Sequence, residues 1–471
     1  MAAIVVLGGG VCGLATAVLL ARDGHDVRVL ERDSAPVPDS PGAAWDGWSR
    51  PGVAQFHQAH YLLPLGTRLL EAELPDVLAG LRAAGAAVFD ALATAPPTLG
   101  AIQRRPDDDR FTTVTARRPM LEQVVARVAA EQPGLQVERG VDVRELEVDG
   151  TGSVTGVRTA AGRRVDADLV VDATGRRSPL PRWLQAAGLR PPEEESADSG
   201  FAYYTRFFRS SAGELPQVRS SLQSPIGSIT VLTLPGDNGS WSVTVVADSH
   251  DRPLTELRHE GAWTAVVKAC PRHAHWLDGV PLTGVLPMAG VLDRHRRLWA
   301  DTEPVATGLV AVGDAWSCTN PSLGRGISIG LLQAVRLRDA LRDGADDDPR
   351  AFAARWDVAV DSALTPWYRA TVAVDRARLC EMRAVRDGQT PPEPTGPAAL
   401  GPALGRAAPH DQDLYRAMVE IIGCLALPSE VFSRPGLAER VLRVAGEHPP
   451  APVPGPDRDQ LLQLVAGAPV G

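Results

Sequence analysis

The pattern of apolar positions at the start of the chain predicts a strand, a helix and a second strand. Residues 3–7 form a short continuous apolar run, residues 11–23 follow a helical pattern, and residues 27–32 form another apolar strand that ends in charged residues. A run of glycines separates the first strand from the helix, and Gly24 interrupts the chain before the second strand. This order is typical of a βαβ unit with parallel strands.

The glycine turn has the spacing G-x-G-x-x-G at Gly8, Gly10 and Gly13. The first glycine permits a tight turn, the second lets the backbone approach a pyrophosphate, and the third lets helix and strand pack closely. The start of the helix offers free N–H groups and the positive end of a dipole to phosphates. Glu31 ends the second strand about 20 residues later, where a carboxylate accepts hydrogen bonds from a ribose diol. The turn, framed by two strands and an acid, predicts a dinucleotide site.

Later segments extend this pattern. Residues 169–171 predict a buried strand that ends in an Ala-Thr-Gly turn, and residues 308–330 predict another buried strand, a Gly-Asp turn, a loop and a helix. Between them, residues 200–248 contain three runs with the alternation of antiparallel strands. From Asp347 onward the pattern is mostly helical, with a proline-rich stretch at residues 390–404.

Together these elements predict an α/β fold. It consists of a Rossmann-like nucleotide-binding domain, an inserted mixed or antiparallel β-sheet domain that forms a wall of the substrate cavity, and a C-terminal helical region. The predicted division assigns residues 1–75, 105–185 and 286–345 to the discontinuous nucleotide-binding domain, residues 76–104 and 186–285 to the substrate-binding sheet domain, and residues 346–471 to a helical cap.

Composition and charge narrow the class of protein. Of the 471 residues, 44% are hydrophobic and 22% are charged, which is ordinary for a soluble globular protein. The net charge of −9 argues against a nucleic-acid partner. The five cysteines are scattered without a C-x-x-C pair, so the sequence predicts neither a disulfide framework nor a metal site and favours the reducing cytoplasm. No apolar run reaches the roughly 18 residues of a transmembrane segment.

Three separated motifs carry a family resemblance: the glycine turn, the Arg-x-x-Leu-Glu pattern that begins at Arg118, and Gly313-Asp314. In this order they resemble the fingerprints of the FAD-dependent monooxygenase superfamily, which includes aromatic hydroxylases, squalene-type epoxidases and polyether epoxidases. The resemblance covers about residues 1–345. It implies an enzyme that uses O₂, through a flavin C4a-hydroperoxide, to hydroxylate or epoxidise a hydrophobic natural-product substrate in a dry cavity.

The resemblance also implies where FAD lies. The first motif holds the ADP half, Asp314 accepts hydrogen bonds from the ribityl chain, and the helix that begins near Gly326 directs its N–H groups toward the flavin N1–C2=O region, where charge builds up on reduction. The implied cofactor-binding residues are Gly8, Gly10, Val11, Cys12, Gly13, Glu31, Arg32, Gln55, Arg118, Val141, Gly313, Asp314, Gly324, Gly326 and Ile327.

Residues 50–60 resemble a loop of the epoxidase-like branch, Arg-x-Gly-Val-x-Gln…His, that approaches the isoalloxazine ring. The candidate catalytic residues are Arg50, His57 and His60 from this loop and Pro321 from the loop after Asp314. The candidate substrate contacts are Tyr203, Phe207, Trp241, Pro287 and Trp316. A histidine on a loop or an aromatic side chain in a strand is also a common structural residue, so both interpretations stay open for these positions.

The chain departs from the aromatic hydroxylases at Ala173-Thr174-Gly175, where they carry an Asp-Gly motif that serves both FAD and NAD(P)H. The variant is similar to that of geranylgeranyl reductases and halogenase-like relatives. The electron source is therefore either NAD(P)H directly or a separate flavin reductase, and a flavin-dependent double-bond reductase is the main alternative function. A flavin halogenase is less expected, because the Trp-x-Trp-x-Ile-Pro element is absent and Lys268 is the only lysine. A non-catalytic flavoprotein is the remaining alternative.

The expected partners follow from this resemblance. They are a small hydrophobic substrate and, for the supply of electrons or substrate, a flavin reductase or a carrier protein. The predicted helical cap suits a large or carrier-bound substrate. We expect a cytoplasmic protein without a nucleic-acid partner.

Overall fold

The computed structural model describes residues 1–344 and 348–467. The strands in this part of the chain are β1 (Ala3–Leu7), β2 (Asp26–Glu31), β3 (Ala87–Asp90), β4 (Thr112–Thr115), β5 (Leu135–Arg139), β6 (Val143–Val148), β7 (Val154–Thr159), β8 (Arg164–Asp166), β9 (Leu169–Asp172), β10 (Glu193–Asp198), β11 (Phe201–Arg209), β12 (Gln223–Ile226), β13 (Ile229–Pro235), β14 (Ser240–Asp248), β15 (Val280–Pro281), β16 (Leu286–Met288), β17 (Leu292–Arg297), β18 (Trp299–Ala300), β19 (Glu303–Pro304), β20 (Leu309–Ala311) and β21 (Ser317–Cys318).

The α-helices are α1 (Val11–Arg22), α2 (Pro41–Gly47), α3 (Pro64–Glu73), α4 (Pro75–Ala83), α5 (Arg118–Glu131), α6 (Leu180–Ala186), α7 (Glu260–Lys268), α8 (Gly326–Asp343), α9 (Pro349–Ala363), α10 (Thr365–Arg386), α11 (Leu400–Ala407), α12 (Gln412–Ile422), α13 (Pro428–Phe432), α14 (Leu437–Glu447) and α15 (Arg458–Ala466). Short 3₁₀ turns lie between several of these elements, among them Gly175–Arg177 and Pro321–Leu323.

The parallel sheet has the strand order β20-β9-β1-β2-β5. It buries most of its side chains, because α1 packs with α5 and α8 and the meander β6-β7-β8 packs against β9. Parallel strands that are covered on both faces have continuous apolar sequences, as residues 3–7 and 169–171 do. All five strands end at the same edge, which places Gly8, Glu31 and Gly313 there. The predicted Rossmann-like α/β fold is confirmed.

A second sheet has the order β12-β13-β14-β11-β15, and β16 also pairs with β11. All of its pairs are antiparallel, which confirms the predicted inserted sheet. Successive side chains of each strand point to opposite faces. One face, which carries Phe208 and Trp241, packs on α7 and α15 around Trp263. The other face, which carries Tyr203 and Thr205, lines a cavity between the two sheets.

The C-terminal helices pack on several parts of the molecule. α9 packs against α8 and α10, α10 also contacts β14, and α11, α12 and α14 form a separate core with side chains from residues 91–111. Residues 345–347 and 468–471, which include the predicted boundary between 345 and 346, lie outside the described residues. Among the helices of residues 1–344 and 348–467, none combines the length and hydropathy that a membrane crossing requires.

Two segments lie elsewhere than the predicted domain division places them. Residues 76–104 do not extend the antiparallel sheet, because α4 packs on α5 and β3 pairs with β4. The reason is apolar burial: Leu78 and Leu81 belong to the core of the nucleotide-binding part. α15 packs on α7 behind the antiparallel sheet, so it does not cap the cavity. The rest of the division stays a prediction.

Candidate functional site

A cavity of about 1310 Å³ connects the carboxyl edge of the parallel sheet with the antiparallel sheet. Its walls include Gly10 and Glu31 at one end, Asp314 and Gly326 in the middle, and Tyr203 on the antiparallel sheet. Pockets for one small ligand usually measure about 300–1,000 Å³. The cavity therefore has room for a cofactor together with a substrate.

The glycine turn closes one end of the cavity with bare backbone. At Gly8, where φ is +104°, an added Cβ would lie 2.6 Å from the carbonyl oxygen of Ala173, and at Gly13 it would lie 2.1 Å from that of Gly8. At Gly10 it would meet no protein atom within 4 Å. Gly10 is the N-cap residue just before α1 and offers no side-chain cap, so the first N–H groups of the helix stay available. This is the open cradle that a pyrophosphate needs.

Glu31 is fixed by contacts on both of its carboxylate oxygens. Oε2 accepts a hydrogen bond from the Gly9 N–H at 2.7 Å, and Oε1 accepts one from the Asp33 N–H at 2.7 Å. Oε2 also lies 3.0 Å from Nη2 of Arg50. The carboxylate lines the cavity next to the glycine turn. It is thus held in place to accept further hydrogen bonds from a ribose.

Arg50 crosslinks the segments beneath this turn. Its guanidinium contacts Glu31, Asp33 (Nε–Oδ2, 3.2 Å) and Glu122 (Nη1–Oε2, 2.8 Å), and it donates to the carbonyl oxygen of Gly9 at 3.2 Å. Its side chain is 1% exposed. Burial alone would lower the pKa of Arg50, but the three carboxylates together raise it. The predicted catalytic role of Arg50 stays a prediction, and all the contacts seen here are structural.

Arg118 extends the same network to the middle of the cavity. Its Nε donates to Oε1 of Glu122 at 2.8 Å, and its side chain lines the cavity. Arg32, Val11, Cys12 and Val141 also line the cavity, as expected for cofactor-binding residues. Burial raises the pKa of the Cys12 thiol to about 12, so the thiol stays neutral.

Asp314 presents a carboxylate that the protein leaves available. Gly313 turns the chain with φ +58°, and its N–H donates to Oε1 of Gln333 at 2.7 Å. Burial raises the pKa of Asp314, whereas the cations of Arg118, Arg176 and Arg294 lower it. Within residues 1–344 and 348–467, no group donates a hydrogen bond to its carboxylate. A ligand with hydroxyl groups, such as a ribityl chain, would satisfy these oxygens.

Gln333 is a site residue that the sequence analysis missed. Its side chain is fully buried on α8, and its Nε2 donates to the carbonyl oxygen of Ala311 at 3.2 Å while its Oε1 holds the N–H of Gly313. It therefore fixes the turn that carries Asp314. The sequence does contain an indication of this role, because Gln333 is an amide side chain among the apolar residues on the buried face of its helix.

The start of α8 faces the same part of the cavity. Gly324 has the left-handed conformation with φ +65°, and α8 begins without a side-chain cap. A Cβ added at Gly326 would lie 4.0 Å from Oδ1 of Asp314. Gly324, Gly326 and Ile327 all line the cavity. Free N–H groups and a positive helix dipole at this point fit the edge of a flavin ring that gains negative charge.

The loop candidates fall into two groups. Gln55, His60 and Pro321 line the cavity. His60 Nδ1 lies 3.0 Å from the carbonyl oxygen of Ala116, and burial and then Arg118 lower its pKa to about 4. A carbonyl only accepts, so Nδ1 carries the proton and Nε2 is an acceptor at neutral pH. His57 is exposed, lies 3.3 Å from the carbonyl oxygen of Trp45 and does not line the cavity.

Only one of the five candidate substrate contacts, Tyr203, lines the cavity. Phe207 packs edge-to-face on Trp45 with 4.8 Å between ring centres. Trp241 lies on the opposite face of the sheet, where its Nε1 donates to the carbonyl oxygen of Trp276 at 2.8 Å. Trp316 packs against His295, and Pro287 lies in β16 next to Met288, which does line the cavity.

The residues that form the apolar wall come from the antiparallel sheet and the C-terminal helices. These lining residues are not predicted from the sequence, because the sequence of a single strand does not show which of its two faces points into the cavity. The additional lining residues are Thr205, Leu222, Leu232, Leu234, Thr244, Met288, Val374, Ile421 and Ile422.

Comparison with known proteins finds similarity to FAD-dependent enzymes. The family model for FAD dependent oxidoreductases matches residues 3–105, and the model for tryptophan halogenases matches residues 118–189. The menaquinone reductase of Mycobacterium tuberculosis is 28% identical over 359 residues, which cover 73% of this chain and 77% of that protein. The FAD-dependent urate hydroxylase of Mycolicibacterium vanbaalenii is 26% identical over 404 residues, which cover 82% of this chain and 90% of that protein.

The solved structure of PqsL from Pseudomonas aeruginosa, in complex with 2-aminobenzoylacetate, has the same fold. It matches with a TM-score of 0.61 at 19% identity and covers 81% of this chain and 98% of that chain. The chain is therefore similar to FAD-dependent oxidoreductases, among them monooxygenases. FAD is its cofactor, and the glycine turn, Asp314 and the start of α8 fit that molecule.

The similarity to tryptophan halogenases is not accompanied by a lysine at this site. Lys268, the only lysine of the flavoprotein, ends α7 on the face of the antiparallel sheet that lies away from the cavity. None of the residues that line the cavity is a lysine. The chemistry that a halogenase lysine supplies therefore has no counterpart among the described residues at the site.

Proposed function

We propose that this FAD-dependent monooxygenase inserts one oxygen atom into a small hydrophobic substrate that lies between the start of α8 and the antiparallel sheet. The observation that carries the proposal is the continuity of the cavity. It runs from the glycine turn past Asp314 to an apolar wall that includes Leu232, Leu234 and Met288. Bound FAD supplies the electrons and activates O₂, and the protein supplies position and a dry enclosure.

The few polar groups of the wall would orient this substrate. Thr205 of β11 and Thr244 of β14 are paired on adjacent strands, and their hydroxyl groups lie 2.9 Å apart. Tyr203 adds a third hydroxyl on the same face. An apolar pocket with few polar groups is typical of sites for hydrophobic small molecules. The PqsL complex with 2-aminobenzoylacetate supports a small-molecule substrate for this fold.

The mouth of the cavity supports an apolar substrate as well. Val374 on α10 and Ile422 on α12 line the cavity and are 48% and 57% exposed. Apolar side chains at this point of the wall fit an apolar ligand better than an ion. We propose hydroxylation or epoxidation of such a molecule, with electrons from NAD(P)H or from a separate flavin reductase.

A double-bond reductase is the second candidate. The specific observation that favours it is the likeness to menaquinone reductase, which extends over 73% of this chain. The Ala173-Thr174-Gly175 variant is similar to that of geranylgeranyl reductases. Both candidate reactions use the same cofactor and an apolar cavity, so the consumption of O₂ distinguishes them.

The test loads the purified chain with FAD, reduces it and adds hydrophobic aromatic, polyene and quinone compounds. For a monooxygenase, product forms only with O₂ and contains one oxygen atom from ¹⁸O₂. Product that forms equally well without O₂, with a saturated double bond, would refute oxygen insertion and establish the second candidate.

A cavity-filling variant locates the substrate. Leu232→Trp should remove substrate turnover and leave FAD affinity within about twofold, because Leu232 lies on the sheet wall and not at the glycine turn. Leu442→Trp, at a 53% exposed position of α14, is the matched control and should change neither.

A further inference from the structure

A group of buried polar side chains lies behind the loop that follows Asp314. Asp375 on α10 is 3% exposed, and its Oδ1 accepts a hydrogen bond from the hydroxyl of Ser322. Its Oδ2 is buried and has no hydrogen-bond partner. Ser322 lines the cavity. A carboxyl group that contributes nothing to the cofactor cradle is thus linked to the cavity by a single hydroxyl.

The groups around Asp375 come from three other segments: the loop before α8, β17 and β11. Asn320 is 2% exposed, its Oδ1 accepts from the Tyr203 hydroxyl at 2.6 Å, and its N–H donates to Oδ1 of Asp293 at 2.8 Å. Asp293 lies on β17 and Tyr203 on β11. Arg325, just before α8, is the cation on this side, and its Nη1 donates to Thr371 at 3.0 Å.

We propose that Ser322 and Asp375 form a proton relay that connects the cavity with α10. Asp375 acts through Ser322 and is therefore a positioning residue, whereas Ser322 touches the reaction space. This proposal rests on one part of the proposed function, namely that the reduced cofactor reacts in this cavity.

The relay would supply the one proton that the reaction needs from the protein. When one oxygen atom of O₂ enters a substrate, the other leaves as water, and the reduced cofactor supplies two electrons and one hydrogen. The second hydrogen of that water is a proton from the protein. With the carboxyl protonated, Asp375 is the donor of this hydrogen bond, Ser322 Oγ is the acceptor, and the Ser322 hydrogen is free to point into the cavity. The Ser322 O–H bond breaks as its proton enters the cavity, the carboxyl O–H bond of Asp375 breaks as its proton moves to Ser322 Oγ, and a proton from solvent then re-forms the carboxyl O–H bond. Saturation of a double bond needs one such proton too.

The surroundings keep the carboxyl protonated near neutral pH. Burial, together with a smaller effect of the negative charge of Asp293, raises the pKa of Asp375 to about 7. Ser322, Asn320 and Arg325 lower it in part. Asp293 itself has a raised pKa through burial. An acid with a pKa near the working pH transfers protons most effectively.

The first measurement uses the protein without FAD. In the wild type, infrared difference spectroscopy should show the carbonyl band of a neutral carboxyl that disappears as the pH rises through about 7. Asp375→Asn should lose this band, and Ser322→Ala should keep it. A wild-type spectrum in which no carboxyl titrates in that range would overturn the proposal.

The second measurement needs no substrate. The FAD-loaded protein is reduced by light with EDTA and mixed with O₂, which is converted to H₂O₂ with uptake of one proton. The rate should fall above pH 7 in the wild type, and both Asp375→Asn and Ser322→Ala should lower it about 100-fold at pH 6. Ser322→Thr, which keeps the hydroxyl, should restore it. Rates and pH profiles equal to the wild type in both variants would overturn the relay.

A control on the same helix separates the relay from the packing of α10. Glu381→Gln removes a carboxylate that is 43% exposed and pairs with Arg378 at 3.0 Å, so the rate and the pH profile should stay unchanged. The failure of the proposed function is a different result. In that case the reduced protein reacts with O₂ through the relay, but no added compound gains oxygen.

Discussion

The replacement of Arg50 by Met tests whether this residue holds the cofactor-binding turn together or takes part in the chemistry. The variant keeps the length of the side chain and removes the guanidinium from Glu31, Asp33 and Glu122. The removal of one partner from a buried ion pair costs about 3–5 kcal/mol, because the remaining charge stays buried without compensation. We expect a loss of this size in the free energy of unfolding.

The assay is urea denaturation of the FAD-free protein, followed by circular dichroism, together with fluorescence titration of FAD. Arg22→Met is the matched control, since Arg22 and Asp76 form an ion pair at 31% and 46% exposure, and such pairs contribute about 0–1 kcal/mol. Arg50→Lys should lie in between, because an ammonium cannot contact all the acceptors at once. If Arg50→Met is as stable as Arg22→Met and binds FAD normally but turns over slowly, Arg50 acts on the reaction and the structural argument fails.

Three further predictions concern the site and its supports. Gly13→Ala should weaken FAD binding at least tenfold in fluorescence titration, because its Cβ would lie 2.1 Å from the carbonyl oxygen of Gly8, while Gly42→Ala, where no atom lies within 4 Å, should bind normally. Gln333→Leu leaves the buried N–H of Gly313 unpaired and should cost about 1–3 kcal/mol in urea denaturation, and a smaller loss would contradict its supporting role. Asp375→Asn should change how stability depends on pH. Burial raises the pKa of Asp375 from 3.8 to about 7, so the wild type loses roughly 4 kcal/mol as the pH rises from 4 to 8, and the variant should not. Parallel curves for the two proteins would disprove this.

The sequence predicts the residues that the structure brings together around the glycine turn, because local chemistry determines their spacing. A glycine that must avoid a backbone oxygen, as Gly13 does, leaves a mark at a fixed spacing from its strand. Gly313-Asp314 is similar, since both residues lie within three residues of the end of a buried strand. The fold class follows from the same strands, whose apolar runs indicate a sheet that is covered on both faces.

The substrate end is harder to predict because it depends on how distant strands align. Tyr203 and Trp241 are both aromatic residues of predicted strands, yet they lie on opposite faces of one sheet. The pairing of Phe208 with Trp241 sets this arrangement, and a shift of one residue would exchange the faces. The sequence of either strand alone does not determine how the two strands pair.

The supporting polar residues are hidden for a related reason. Gln333 and Asp375 lie on long helices, where polar residues usually indicate the solvent face. Both are buried, because another segment brings a partner to them: the turn before Asp314 to Gln333, and Ser322 to Asp375. Only the tertiary contact shows that these side chains belong to the site.

The position of α10 changes the part that the C-terminal helices play in the enzyme. A helical cap acts by covering a cavity, and Val374 does line its mouth. The neighbouring Asp375, however, contacts Ser322 in the loop between Asp314 and α8. Asp293 holds the same loop through the N–H of Asn320. The loop is therefore fixed between two buried carboxyl groups, one from β17 and one from α10. α10 therefore contributes both to the wall of the cavity, through Val374, and to the support of the loop after Asp314, through Asp375.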